Sequence, residues 1–108
     1  MRPNPYRVVL VTAPDAKTAR ALARGLVGKH LAACVSEIPG LTSHYRWEGR
    51  LQQEREVLLV IKTRASLWPK VKHFIKERHP ARVPEIIALT ITEGSRDYLA
   101  WLSQSTRA

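Results

Sequence analysis

The stretch that decides the fold is Cys34-Val-Ser-Glu-Ile-Pro-Gly-Leu-Thr-Ser-His-Tyr-Arg-Trp-Glu-Gly-Arg-Leu-Gln-Gln-Glu-Arg-Glu-Val-Leu-Leu-Val-Ile-Lys-Thr63. Two β-prone runs flank Glu48-Gly49, and glycine at 49 supplies the positive φ of a tight hairpin turn. Leu41, Ser43, Tyr45 and Trp47 alternate onto one face of the first arm, with Thr42, His44 and Arg46 on the other. Pro39-Gly40 interrupts that arm, because proline cannot donate to a ladder and glycine marks a bulge or bend. Both arms exceed the common strand length of about 5–6 residues, and a long two-stranded ribbon is marginal alone in water. Its distal part therefore needs something to pack on. In a chain of 108 residues, that partner is expected to be another copy of the chain.

Working outward, Arg7-Val-Val-Leu-Val11 is an unbroken β-branched run and reads as a buried central strand. Asp15 is placed to N-cap a helix whose apolar face is Ala19, Leu22, Ala23, Leu26 and Val27, with Lys17, Arg20 and Arg24 as a basic stripe on another face. Gly28 lies near its end, and Lys29 and His30 suit the negative pole there. The second strand starts at Leu31, and the returning arm ends in Val57-Leu-Leu-Val-Ile61. Ser66 is expected to cap a second helix, with Pro69 in its first turn and Leu67, Val71, Phe74 and Ile75 facing the core. Lys70, Lys72, Lys76 and Arg78 face elsewhere, and Pro80 ends the helix. Pro80 and Pro84 stiffen the connection 79–85 into an extended form. Ile86–Ile91 is the fourth strand. Gly94-Ser95 opens a short helix in which Tyr98, Leu99, Trp101 and Leu102 pack inward, and the tail from Ser103 is expected to fray.

The order β-α-β-β-α-β plus a terminal helix is the ferredoxin-like, split βαβ pattern of an α+β fold, with a long β2-β3 hairpin and one domain over residues 1–108. Both helices of that topology cover one face of the sheet. Three strands are apolar on both faces, so the opposite face should also be dry, which self-association achieves.

Composition narrows the partners. The formal charge is +9, which favours polyanions or simply keeps the surface solvated. The single cysteine, Cys34, excludes an intrachain disulfide and any CxxC motif. No apolar core long enough for a signal peptide follows the charged start, and no run approaches membrane-spanning length, so a soluble cytoplasmic protein without a membrane partner is expected.

With these residues placed, the sequence closely resembles the CutA (CutA1) family of divalent-cation tolerance proteins. The matching stretches are Val9–Asp15, Leu31–Val35, Ile38-Pro39-Gly40, Tyr45–Gly49, Glu56–Thr63, His79-Pro80, Val83–Ile87 and Asp97–Leu102, in order along nearly the whole chain. The resemblance implies a homotrimer of ferredoxin-like protomers, similar in architecture to the PII signalling proteins, linked to tolerance of copper and other divalent metals and without an established reaction. It also implies a ligand-binding cleft between subunits, formed by Cys34, Tyr45, Trp47, Glu56, Lys62, His79 and Glu85. Cys34 and His79 are the candidate metal ligands, a thiolate and an imidazole that suit Cu2+ or another divalent cation. No cofactor is required and no catalytic residue is expected.

Each of these residues also has a structural role open to it. Cys34 fits a buried small hydrophobe, His79 a loop hydrogen bond, Trp47 a ribbon anchor, and Glu56 with Lys62 an ion pair. No two candidate ligands sit at local chelate spacing. Some relatives carry a cysteine at the position of Val11 and a histidine at that of Arg78. This chain has neither, and Arg78 beside His79 opposes a dication. Ala81-Arg82 replaces the family's usual tyrosine after His-Pro, giving a wider and more basic cleft. Three other classes are weighed against metal tolerance, the first being catalysis, which would need Cys34 activated by His79 and an oligomer to bring them together. A basic nucleic-acid-binding trimer lacks any RNP, KH or helix-turn-helix signature, so nucleic acid is disfavoured. A PII-like small-anion sensor lacks a glycine-rich phosphate loop.

Overall fold

A computed structural model describes residues 5–107. The elements run β1 (Tyr6–Ala13), α1 (Ala16–Gly28), β2 (Cys34–Trp47), β3 (Arg50–Arg64), a 3-10 turn (Ala65–Leu67), α2 (Trp68–Arg78), β4 (Ile86–Thr90) and α3 (Arg96–Gln104). All neighbours in the sheet are antiparallel, in the order β2-β3-β1-β4. This is the ferredoxin-like α+β arrangement read from the sequence.

The hairpin forms around Glu48-Gly49, with φ of 49° and 78°, so both central residues are left-handed. That geometry matches the twist of the flanking strands, and glycine adopts it without steric cost. The register slips by one residue between Ile38 and Leu41, placing a bulge at Pro39-Gly40 with Gly40 at φ 80°. After the bulge Leu41, Ser43, Tyr45 and Trp47 lie opposite Glu56, Glu54, Gln52 and Arg50. β1 stops pairing with β3 at Ala13–Val57. The ribbon from Leu41 to Glu56 therefore projects beyond the four-stranded part of the sheet.

The two faces of the sheet differ. Val9, Val11 and Ala13 of β1 and Val57, Leu59 and Ile61 of β3 are buried beneath the helices. They meet Ala19, Leu22 and Leu26 of α1 and Val71, Phe74 and Ile75 of α2. The alternate residues Val8, Leu10, Leu58 and Val60 face the other way and are half-buried. Beside them Ile38, Ile87 and Leu89 are 47%, 49% and 50% exposed. The central strands are thus apolar on both faces, and within one chain only the helix face is covered.

The helix boundaries largely follow their caps, with five departures from the sequence reading. Asp15 caps α1 as expected, accepting from the Thr18 N–H at 2.7 Å, and this hydrogen bond holds its carboxyl below the usual carboxylate range. The left-handed residue ending α1 is His30 at φ 61°, two positions past Gly28. Its N–H donates to Val27 O and that of Leu31 to Leu26 O, a Schellman pair that satisfies the last carbonyls. Val27 falls outside the core face and is 41% exposed. Ser66 does not cap α2. Residues 65–67 form a 3-10 turn that leads straight into the helix, and Pro69 has no N–H to satisfy in its first turn. In α3 only Leu102 is fully buried, while Tyr98 and Trp101 remain exposed and lean on each other with ring centroids 5.4 Å apart. The tail is fastened rather than frayed. Thr106 is buried and donates its hydroxyl to Leu102 O, Arg64 donates to Thr106 O, and the Arg107 N–H donates to His30 O.

Candidate functional site: a cleft at the root of the hairpin

Where the ribbon leaves the sheet, it faces the stiff connection that follows α2. Between them lies a cleft of about 710 Å³. Ser43, His44, Tyr45, Trp47, Glu54 and Glu56 form its ribbon wall, His79 to Glu85 form the opposite wall, and Thr12 and Pro14 close the end. The sheet pleat explains the ribbon wall. After the bulge, Ser43, Tyr45 and Trp47 share a face with Glu54 and Glu56.

The polar groups hold one another. Tyr45 donates its hydroxyl to the Glu54 carboxylate, which belongs to the next pair on the same face of the ladder. That hydrogen bond, followed by desolvation and the negative charges of Glu54 and Glu56, raises the phenol above its ordinary value of 10.0. His79 is tied at both ring nitrogens. Nε2 lies 2.7 Å from Thr12 O, and Nδ1 accepts the Ala81 N–H at 3.0 Å. A carbonyl only accepts, so Nε2 carries the proton and the ring is a neutral clamp between the end of β1 and the connection.

Five of the seven residues expected at the cleft line it: Tyr45, Trp47, Glu56, His79 and Glu85. Cys34 and Lys62 do not. They are register partners at the other end of the sheet, in line with Val8, whereas His79 touches Thr12. Four residues of β1 and two interstrand steps separate the positions, more than about 13 Å. Within one chain Cys34 and His79 therefore do not meet. Glu56 and Lys62, six residues apart on β3, are also too distant for an ion pair. The Cys34 thiol, half-buried, is 3.9 Å from the Ser36 hydroxyl. Among the described residues, no three His, Cys, Asp or Glu side chains of one chain gather closely enough to hold a metal ion.

Sequence reasoning missed Glu54, Ser43 and Thr12 as cleft residues, whereas Arg82 lines the cleft where the missing tyrosine had placed it. The first two were accessible in principle, since pairing after a one-residue bulge puts both on the Tyr45 face. Thr12 depends on how the connection folds back over β1. Arg78, expected to repel a dication from His79, instead lies over the Phe74 ring at 3.8 Å and donates to Phe74 O.

A ferredoxin-like protomer with an overreaching β2-β3 hairpin and a cleft at its root defines a recognisable class. The family described as CutA1 divalent ion tolerance protein matches residues 7–105. The divalent-cation tolerance protein CutA of Thermus thermophilus is 50% identical over 99 residues, 92% of this chain and 96% of its own length. Human protein CutA is 42% identical over 106 residues, 98% of this chain, which spans 59% of the human protein's length. Among solved structures, the T. thermophilus CutA1 protein superposes with a TM-score of 0.92 at 49% identity, covering 94% of this chain and 99% of that one. An Archaeoglobus fulgidus structure, described as a periplasmic divalent cation tolerance protein CutA, gives 0.90 at 31% identity over 93% and 97%. The chain belongs to the CutA1 family of divalent ion tolerance proteins. No helix among its described residues is long and apolar enough to cross a membrane.

Proposed function

We propose that this chain acts as a non-catalytic homotrimer, arranged like the PII proteins, in tolerance of divalent metal ions, copper among them. A neighbouring subunit completes each cleft, which takes up a divalent cation or a small ligand. The observation that carries the assembly is the apolar sheet face opposite the helices, together with a ribbon that projects beyond the four-stranded sheet. Such a face is characteristic of an interaction surface. The relatives' names supply the link to divalent cations.

One chain offers the cleft three carboxylates, Glu54, Glu56 and Glu85, one of them engaged by Tyr45. A cation arriving there meets oxygen donors first. His79 joins the coordination only by releasing the Ala81 N–H from Nδ1, and Cys34 only from another subunit. A full donor set is thus a property of the assembly. The expected compartment is the cytoplasm, where the lone thiol stays reduced, and cell fractionation checks this against the periplasmic description of the A. fulgidus relative.

Calorimetric titration with Cu(II) tests the ligand reading. Glu56→Gln/Glu85→Gln and Cys34→Ser/His79→Gln are each compared with the parent protein. Loss of affinity by about tenfold or more in either variant, about 1.4 kcal/mol, supports a cation site at the cleft. Unchanged affinity in both, or no binding by the parent, overturns it.

A further inference from the structure

Behind the main cleft, on the other side of the 79–85 connection, lies a second and chemically opposite hollow. It measures about 290 Å³ and is lined by Lys72, Lys76, Arg82, Val83, Pro84 and Ile86. We propose that this notch between α2 and the connection binds a phosphate-rich anion, a di- or triphosphate group. No acidic residue lines it. Glu77, the only carboxylate on α2, is engaged by His73 at 3.2 Å and Arg78 at 3.6 Å. Among the described residues, none of Lys72, Lys76 and Arg82 forms an ion pair.

Several features fit an anionic occupant. Lys72 and Lys76 stand four apart on one helix face, where like charges weaken a helix and an anion between them would relieve the repulsion. The Lys72 ammonium lies 5.6 Å from the Trp68 ring centroid, a contact that limits its freedom. Arg82 sits between Pro80 and Pro84, which restrict the backbones of His79 and of its neighbour Val83. Its planar fork suits two phosphate oxygens at once, while the lysines act as point charges. Three cations in so small a space match the charge of a di- or triphosphate better than that of a single carboxylate. The whole chain, at +9, draws anions toward it. Val83, which is 67% exposed, Pro84 and Ile86 add an apolar floor.

Two sources share this chemistry: an inorganic polyphosphate, and a nucleoside triphosphate whose base would rest on that floor. Titration of the full chain with tripolyphosphate and with ATP, in magnesium-free buffer at physiological ionic strength, separates them. Tighter binding of ATP assigns the floor to the nucleoside, and tighter binding of tripolyphosphate assigns the site to the inorganic chain; either supports the notch. The variant Lys72→Gln/Lys76→Gln/Arg82→Gln should bind more weakly by about tenfold or more, the scale of losing one or two charge-assisted contacts. The control Lys17→Gln/Arg20→Gln/Arg24→Gln removes the same charge from α1 and should stay within about threefold. Single Arg82→Gln, whose side chain also borders the main cleft, is read beside Lys72→Gln/Lys76→Gln, which touches the notch alone. Equal losses in both triple variants would reduce the effect to diffuse charge and overturn the site. So would no loss in the notch variants, or no binding of either anion.

Discussion

Leu89→Asp should break the assembly while leaving the protomer folded. Leu89 is 50% exposed on the open sheet face, beside Ile87 at 49%, with Ile38 at 47% on the opposite edge strand. Full burial of such a side chain contributes about 1.5–3 kcal/mol, so covering the remaining half is worth roughly 1 kcal/mol each. The three together supply about 3 kcal/mol per protomer, before Val8, Leu10, Leu58 and Val60 are counted. Aspartate at 89 removes one of these contributions. It also leaves a charged group against apolar neighbours, at a cost of about 2 kcal/mol or more if it stays in the interface. A combined shift near 3 kcal/mol per protomer weakens each contact by more than about a hundredfold. Sedimentation velocity at micromolar concentration reads the result. The parent should run at three times 12.2 kDa, and Leu89→Asp at the mass of one chain with its circular dichroism intact. Val27→Asp, on the helix side, should leave the parent's mass unchanged. A parent that sediments as single chains, or a Leu89→Asp variant that keeps the parent's mass, refutes the reasoning.

Other perturbations probe the protomer. A Cβ at Gly25 would run into the buried Phe74 ring, whereas one at Gly28 meets nothing within 4 Å. Gly25→Ala should therefore destabilise the fold by about 1 kcal/mol, because overpacking at about 1–3 kcal/mol outweighs the helix-propensity gain of about 1 kcal/mol. Gly28→Ala should be neutral or stabilising by up to about 1 kcal/mol, and thermal melts would rank the pair. The carboxyl of Asp15 is lowered from 3.8 on folding, so its contribution is present above that value and fades as pH falls below it. Asp15→Asn keeps a capping oxygen and should flatten that acid limb, as read from denaturation midpoints across pH. Glu54→Ala should return the Tyr45 phenol toward 10.0 by removing the hydrogen bond and charge that raise it, a change visible in a phenolate absorbance titration. Thr106→Val removes a buried hydroxyl that donates to Leu102 O at 2.9 Å and should cost about 1 kcal/mol in chemical denaturation.

Most of the protomer was legible because its decisive features are local. Glu48-Gly49 fixes the turn, Pro39-Gly40 fixes the bulge, and the alternation between them fixes which side chains share the cleft wall. What stayed hidden depends on tertiary choice. Ser66 is a good capping residue in isolation, but the 3-10 turn before Pro69 takes the chain past it. Glycine is the usual left-handed terminator, yet His30 takes that role because the Schellman pair with Leu26 and Val27 forms two residues after Gly28. Tyr98 and Trp101 have helical spacing suited to a core, but one turn of α3 meets the sheet, and Leu102 occupies it. The tail looked polar enough to fray, and nothing local in Thr106 announces that Leu102 and Arg64 will hold it. At the cleft, family likeness placed five residues together. Cys34 and Lys62 are distant because the register sends them to the opposite end of the sheet.

The stitching of the described chain near both of its limits has a practical consequence. Pro5 O accepts the Ala65 N–H, the Tyr6 and Ser103 hydroxyls bond at 2.7 Å, and Arg107 is held against the α1–β2 junction by His30. A protease needs several residues of slack to thread its groove, and neither seam provides them. Among the described residues, the hairpin tip and the proline-bracketed connection are more open to it. A partner that covers them would therefore also shield the protein from proteolysis.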